Sequence, residues 1–322
     1  MGSSAALPSP NMEKQRPRPK VDPQRCAPSA RRRGDPLMAT AAPAARWLLI
    51  EQAGAWGRHA LRQSSLAPDV AAGLSELAGE RGVRIQVIRR PPDRGRPDRP
   101  RRWAYVDSNT QTPPTSWWGE YVDDSELLDL AMDGSDGVPS RDPVLLVCTH
   151  ARHDACCALF GRPAYAALAK MYPDIAWETS HVGGDRFAAN LVILPDGRYY
   201  GNLDGESAVG VVAAHLAGLI DSAFYRGSSV QPAPMQAAEH YLRAYLDEHR
   251  IRAVAPLGLH QLDLVRWVAR LVHVDGTEYE AEVAMVHATG LNRLTCSASH
   301  PAAARSFELI SLREVDGLVR QS

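Results

Sequence analysis

The sequence predicts an α/β protein made of two similar halves, followed by a C-terminal helix plus β-hairpin extension. Two observations carry this reading. Short apolar runs alternate with one-sided helical patterns, and the order of elements after Trp47 resembles the order after Val144. Residues 133–143 (DGSDGVPSRDP), rich in Gly and Pro, separate the two sets. A chain of 322 residues suits about two domains.

Residues 1–42 are rich in Pro, Arg, Ser and Ala and include Arg31-Arg32-Arg33. Such a segment buries too little apolar surface to offset its ordering entropy, so a disordered tail is expected. Cys26 falls in it and reads as incidental; Met38 is an alternative start. The first half, 43–135, contains no cysteine. Trp47–Ile50 reads as a strand, and Asp69 caps a helix running to about Arg81. Gly82 ends that helix, and Val83, Ile85 and Val87 alternate as a strand. A Pro/Arg loop (90–101), strands near Trp103 and Trp117, and a short helix from Asp124 to Met132 complete this half.

The second half, 143–225, starts with Val144–Val147, an unbroken apolar run of the kind found in strands buried on both faces. A helix is predicted over Arg162–Met171, with Pro163 in its first turn. Ile175–Glu178 is the next strand. Leu191–Leu194 and Arg198–Tyr200 flank the turn Pro195-Asp196-Gly197, and a helix follows over Glu206–Ile220. The order β-α-β-loop-β-β-α is that of thioredoxin, so the fold class is α/β with two thioredoxin-like (ferredoxin-type) sandwich halves related by duplication. In 226–322, a linker (226–234) precedes an amphipathic helix, Met235–His249. A hairpin turns at Asp275-Gly276, and Leu294–Cys296 and Phe307–Leu312 read as further strands.

Composition excludes several classes of function. Lys plus Arg total 36 against 37 Asp plus Glu, which argues against a nucleic-acid or anionic-membrane surface. No apolar run is long enough to span a membrane and the N-terminus has no signal-peptide core, so a cytoplasmic protein is expected. Five cysteines is an odd, low number for a disulfide framework. In a reducing compartment, clustered cysteines are more often ligands or redox groups.

The clustering lies between Cys148 and Asp185. Cys148, Cys156 and Cys157 follow a buried strand, and His181-Val182-Gly183-Gly184-Asp185 forms a glycine-rich loop downstream. The spacing is neither CxxC nor paired CxxC, so a thioredoxin dithiol and a zinc ribbon both fit poorly. Thiolates with imidazole suit a metal or iron–sulfur site. His150 and His153 read as solvated or capping groups, and Arg152 and Arg186 either balance charge or lie on the surface. His215, in an apolar helix, reads as a satisfied core histidine. No pair of glycosidase carboxylates, phosphate-binding glycine loop or G-x-S-x-G elbow is found.

The segments CTHARHDACCALFGRP, WETSHVGGDRFAANLVILPDGRYYG and RLTC resemble the sucrase/ferredoxin-like family over roughly residues 46–315. The resemblance implies a thioredoxin-like [2Fe–2S] ferredoxin that exchanges electrons with a reductase and an acceptor. It implies Cys148, Cys157 and His181 as cluster ligands. The family's second histidine, in H-x-x-x-H, is Asp185 here, which leaves the fourth ligand open between Asp185 and Cys296, with Cys156 behind. The alternatives are a thiol-redox protein using Cys148 or Cys157 and a cluster-free interaction protein on the same fold.

Overall fold

The computed structural model describes residues 22, 24–90, 100–109 and 115–315. The chain begins with α1 (Cys26–Arg33), β1 (Arg46–Glu51), α2 (Pro68–Arg81) and β2 (Val83–Arg89). Then come β3 (Arg101–Asp107), β4 (Thr115–Tyr121), a 3-10 turn at Asp124–Leu128 and β5 (Val138–Ser140). β1 and β2 are parallel across α2, and β3 and β4 add antiparallel on the other side of β1. The second half comprises β6 (Val144–Cys148), α3 (Ala155–Met171), β7 (Ala176–Thr179), β8 (Leu191–Leu194), β9 (Arg198–Tyr200), α4 (Gly205–Leu216) and β10 (Tyr225–Ser228). It repeats the connectivity: β6 and β7 are parallel across α3, and β8 and β9 add antiparallel beside β6. Finally α5 (Ala233–Leu246) packs on a four-stranded antiparallel sheet of β11 (Val254–Gln261), β12 (Arg266–His273), β13 (Glu278–Asn292) and β14 (Ala302–Val315).

The two halves form one ten-stranded sheet in the order β10-β9-β8-β6-β7-β2-β1-β3-β4-β5. They join at a short antiparallel contact, Ile88 opposite Thr179 and Arg89 opposite Glu178. In a flat sheet β1 and β9 would lie about 24 Å apart, five steps of about 4.8 Å. Yet Trp47 of β1 and Tyr199 of β9 have ring centroids 6.4 Å apart, and Trp118 of β4 stacks on Trp177 of β7 at 5.7 Å. The sheet therefore folds over at the β2–β7 joint into two facing layers. Trp47, Leu49 and Val106 meet Leu146, Cys148 and Val192 in the shared interior. Because side chains alternate along a strand, Leu48 and Ile50 face α2 instead, and Leu145 and Val147 face α3 and α4. Both faces of these strands are thus covered, which is why they read as unbroken apolar runs.

Several boundaries differ from the sequence expectation; α2, for one, starts at Pro68 with Ala67 as its N-cap, which puts Asp69 inside its first turn and not at the cap. The tail expected to be disordered contains α1, with Cys26, Ala27 and Ala30 buried against Cys156 and Ala188; residues 1–21 and 23 lie outside the described residues. Its small apolar face is too weak to read from composition and is stabilised by tertiary contact. Helix α3 starts at Ala155 instead of Arg162, because the Asp154 side chain caps it by accepting the Cys156 N–H at 2.7 Å. Leu294–Cys296 is no strand and lies in the β13–β14 connection. The linker expected at 226–234 begins inside β10, whose four residues are all buried. Most of the Pro/Arg loop, 91–99, lies outside the described residues. Among the described residues, no helix is long and apolar enough to cross a membrane.

The packing of α3 on β6 rests on Gly161, where a Cβ would collide with the Cys148 carbonyl oxygen. Gly161→Ala is expected to cost about 1–3 kcal/mol in denaturant unfolding, as overpacking does. Gly210→Ala in α4, where a Cβ meets nothing within 4 Å, is expected to be neutral or stabilising by about 0.5–1 kcal/mol.

Candidate metal centre

The carboxyl ends of β6 and β7 and the amino end of α3 converge at one place, the usual location of a site in an open α/β sheet. Cys148 closes β6, Cys157 sits in the first turn of α3, and His181 to Asp185 form the loop after β7. The ligand atoms of Cys148, Cys157 and His181 all lie within 4.8 Å of one another, as do those of His153, His181 and Asp185. Asp185 Oδ1 is 3.2 Å from Cys157 Sγ and 3.0 Å from His181 Nδ1. His153 stacks on His181 with ring centroids 3.7 Å apart. Both thiols are fully buried, whereas the side chains of His181 and His153 keep 22% and 31% of their surface. The site is therefore closed at its sulfur end and open at its imidazole end.

The loop is held by groups from across the molecule. Gly183 and Gly184 take left-handed backbone angles, φ +99° and +81°, and a Cβ on Gly184 would collide with the Arg226 guanidinium. Arg226 is buried; its Nη1 donates to the Gly183 carbonyl at 3.0 Å and to Asn190 Oδ1 at 2.7 Å, and its Nε donates to Thr40 Oγ1 at 3.0 Å. Asn190 Nδ2 in turn donates to the Gly184 carbonyl at 2.9 Å. His150 Nδ1 accepts the His181 backbone N–H at 3.3 Å, which leaves Nε2 as the N–H that faces the Gly57 carbonyl at 2.6 Å. His150 is thus a positioning residue that ties the loop to the first half of the chain.

Charge in the site is shared among its members. Hydrogen bonding from Cys157 draws the Cys148 thiol well below its usual range against the opposing effect of burial, and the same bond pushes Cys157 up. Burial pulls His181 down, but Asp185 and Cys148 more than reverse this and raise it to about 9. Burial pushes the Asp185 carboxyl up, and His181 outweighs that and holds it below its ordinary value. Burial draws Arg226 down to about 10, still protonated near neutrality, so a cation stands behind the loop.

Of the residues singled out in the sequence, Cys148, Cys157, His181 and Asp185 are brought together. Cys156 and Cys296 are not part of this group; they lie with Cys26 and Asp154 in a second one. His153 joins the site although its sequence position suggested a solvated group. It lies in the turn before α3, outside any helical pattern, so no periodicity in the sequence pointed to it. Arg226 carried no signal, since it lies at the start of a segment that reads as a linker. Arg152 is exposed, and Arg186 pairs with Asp35 at 3.4 Å. His215 pairs with Asp196 at 3.1 Å.

The residues present fit a metal group. His181 Nδ1 is buried and is engaged by no well-formed hydrogen bond, with Asp185 Oδ1 facing it at 3.0 Å. Thiolate, imidazole and carboxylate together form a donor set for transition metals and not for calcium or magnesium. The fold and site therefore define an α/β protein with a cysteine-containing group able to hold a metal. The model of the sucrase/ferredoxin-like family matches residues 37–227, more than half of the chain, and the chain belongs to that family. No curated protein and no solved structure matches it.

Arg226→Met removes the donors to Gly183, Asn190 and Thr40 and leaves buried acceptors unpaired. It is expected to lower stability by about 3 kcal/mol. Arg226→Lys, lacking the planar fork, should recover less than half of that in urea unfolding.

Proposed function

We propose that this chain is an electron-transfer protein with a [2Fe–2S] cluster held by Cys148, Cys157, His181 and Asp185, on a duplicated thioredoxin-like scaffold. One observation carries the reading. The ligand atoms form two overlapping triads that share His181, Cys148 and Cys157 in one and His153 and Asp185 in the other, and Asp185 Oδ1 links them at 3.2 Å from Cys157 Sγ. A single tetrahedral ion gathers its ligands around one point. Two triads joined at one imidazole suit a group with two metal atoms. The repeated strand order and directions of the two halves support the duplication.

When bound, such a cluster supplies reversible one-electron transfer. The chain's own residues set the conditions for it. Cys148 and Cys157 are shielded from water, so an external disulfide has no path to them, which weighs against thiol exchange as the activity. The partly open edge of His153 and His181 is the side on which a reductase and an acceptor would dock. Arg226 offsets part of the negative charge that two thiolates and a carboxylate bring. Asp185, standing where the family has a second imidazole, adds negative charge beside the metal and favours a lower reduction potential.

Protein purified without oxygen is expected to be red-brown, with about two irons and two sulfides per chain. Cys148→Ala, Cys157→Ala and His181→Ala should each abolish iron retention while circular dichroism still reports a folded chain. Asp185→Ala should lose the cluster and His153→Ala should keep it; the opposite pair of results would make His153 the fourth ligand. A folded wild-type chain that stays colourless and iron-free after reconstitution with iron and sulfide would rule the proposal out.

A further inference from the structure

The three remaining cysteines of the chain also converge. Cys26 comes from α1, Cys156 from the first turn of α3, and Cys296 from the β13–β14 connection. Cys156 Sγ and Cys26 Sγ each lie 3.5 Å from Cys296 Sγ. Cys26 Sγ is 3.8 Å and 3.6 Å from the two carboxylate oxygens of Asp154. All four ligand atoms lie within 4.8 Å of one another. We propose that Cys26, Cys156, Cys296 and Asp154 form a second, structural metal site that takes a single zinc ion.

The spacing favours one ion over a cluster. Zinc–sulfur bonds of about 2.3 Å at tetrahedral angles put sulfur atoms about 3.8 Å apart, and a zinc–oxygen bond of about 2.0 Å puts sulfur and oxygen about 3.5 Å apart. The separations between these sulfur and oxygen atoms are already close to these values, so little movement is needed. Here the four ligand atoms make one compact set, unlike the two linked triads of the first site. Cys26, Cys156 and Asp154 are buried and Cys296 is partly so, which makes a closed site of the structural kind.

The surroundings suit a metal-bound thiolate group. Asp154 is oriented by backbone donors: Oδ1 accepts the Cys156 N–H at 2.7 Å and Oδ2 accepts the Cys296 N–H at 2.6 Å. Thr295 Oγ1 adds a third bond to Oδ2 at 3.2 Å, so the free lone pair is on Oδ1. Backbone N–H groups of Ala27 and Cys26 face the sulfurs of Cys156 and Cys296. Ala27, Ala188 and Phe160 wall the group off from water. The positive charges of Arg31 and Arg186 lie near enough to act on Cys156 and Cys26, opposing the excess negative charge of three thiolates and a carboxylate. Binding one zinc ion releases the thiol protons to solvent and changes no oxidation state.

Cys26 and Cys296 both lie outside residues 37–227, the stretch that the family model matches. Zinc here would fasten the N-terminal helix and the tip of the long hairpin to α3, one residue from Cys157.

The test uses the full chain, reduced and loaded with Zn²⁺, then freed of unbound metal and assayed for total metal. Cys26→Ser and Cys296→Ser are each expected to hold one zinc fewer per chain than wild type, with their iron content unchanged. Replacement by Co²⁺ should give thiolate charge-transfer and tetrahedral d–d bands in wild type that are lost in both variants. Removing the metal should expose α1 and the hairpin tip to protease before the rest of the chain. Equal zinc in wild type and variants would overturn the proposal. So would a disulfide among Cys26, Cys156 and Cys296 in protein trapped by alkylation at cell lysis. If either variant is unfolded by circular dichroism, the Co²⁺ bands of wild type decide, and their absence refutes the site.

Discussion

The cap that Asp154 places on α3 governs how four of the five cysteines in the chain are arranged. It fixes the helix start at Ala155, so the adjacent residues Cys156 and Cys157 fall in the first turn. Successive positions on an α-helix are about 100° apart, so the two sulfurs must face different surroundings. Cys157 turns inward to Cys148 and the interior between the sheet layers, and Cys156 turns to α1 and the β13–β14 connection. The same carboxylate takes the backbone N–H of Cys296 and meets Cys26, so one side chain ties two distant segments to a helix terminus.

The folding of the ten-stranded sheet explains how a cysteine-free first half serves a site made of second-half residues. Closing the layers at the β2–β7 joint brings Gly57 over His150, and the stretch before β1 supplies Thr40 to Arg226. Both contacts satisfy buried polar groups that would otherwise cost free energy, and both end on the His181–Asp185 loop. The glycines allow the loop to turn, and the Arg226 fork holds it there. Ligand geometry thus depends on residues that would never touch a metal.

The two sulfur-containing groups differ in construction. One is shared between strand end, helix and loop, with an open imidazole edge. The other is compact and closed, and it draws on both ends of the chain. An open, asymmetric group suits exchange with a partner, and a closed one suits holding segments together. Their separation by a single peptide bond couples the placement of α1 and the hairpin to the helix turn that carries Cys157.

Much of this was legible in the sequence. Runs such as Val144–Val147 and the turn at Asp275-Gly276 marked strands and a hairpin, because alternation and turn chemistry are local properties. Cys148, Cys157 and His181 stood out by residue type and by the resemblance they carry. The early start of α3 was missed because Pro163 looked like a first-turn proline, whereas Asp154 was the actual cap. The order of α1 and the positions of Cys26 and Cys296 were not legible, since each depends on contacts across more than a hundred residues. Arg226 is the sharpest case: its stretch reads as a linker, yet it is a buried cation bonded to Thr40 and to both Gly183 and Asn190 of the β7–β8 connection. The sequence by itself determined most of the elements and which side chain types can bind metal, because backbone preference and ligand chemistry belong to single residues. Only the tertiary structure decided which cysteines share a site, because that depends on where a folded-over sheet and two chain ends come to rest.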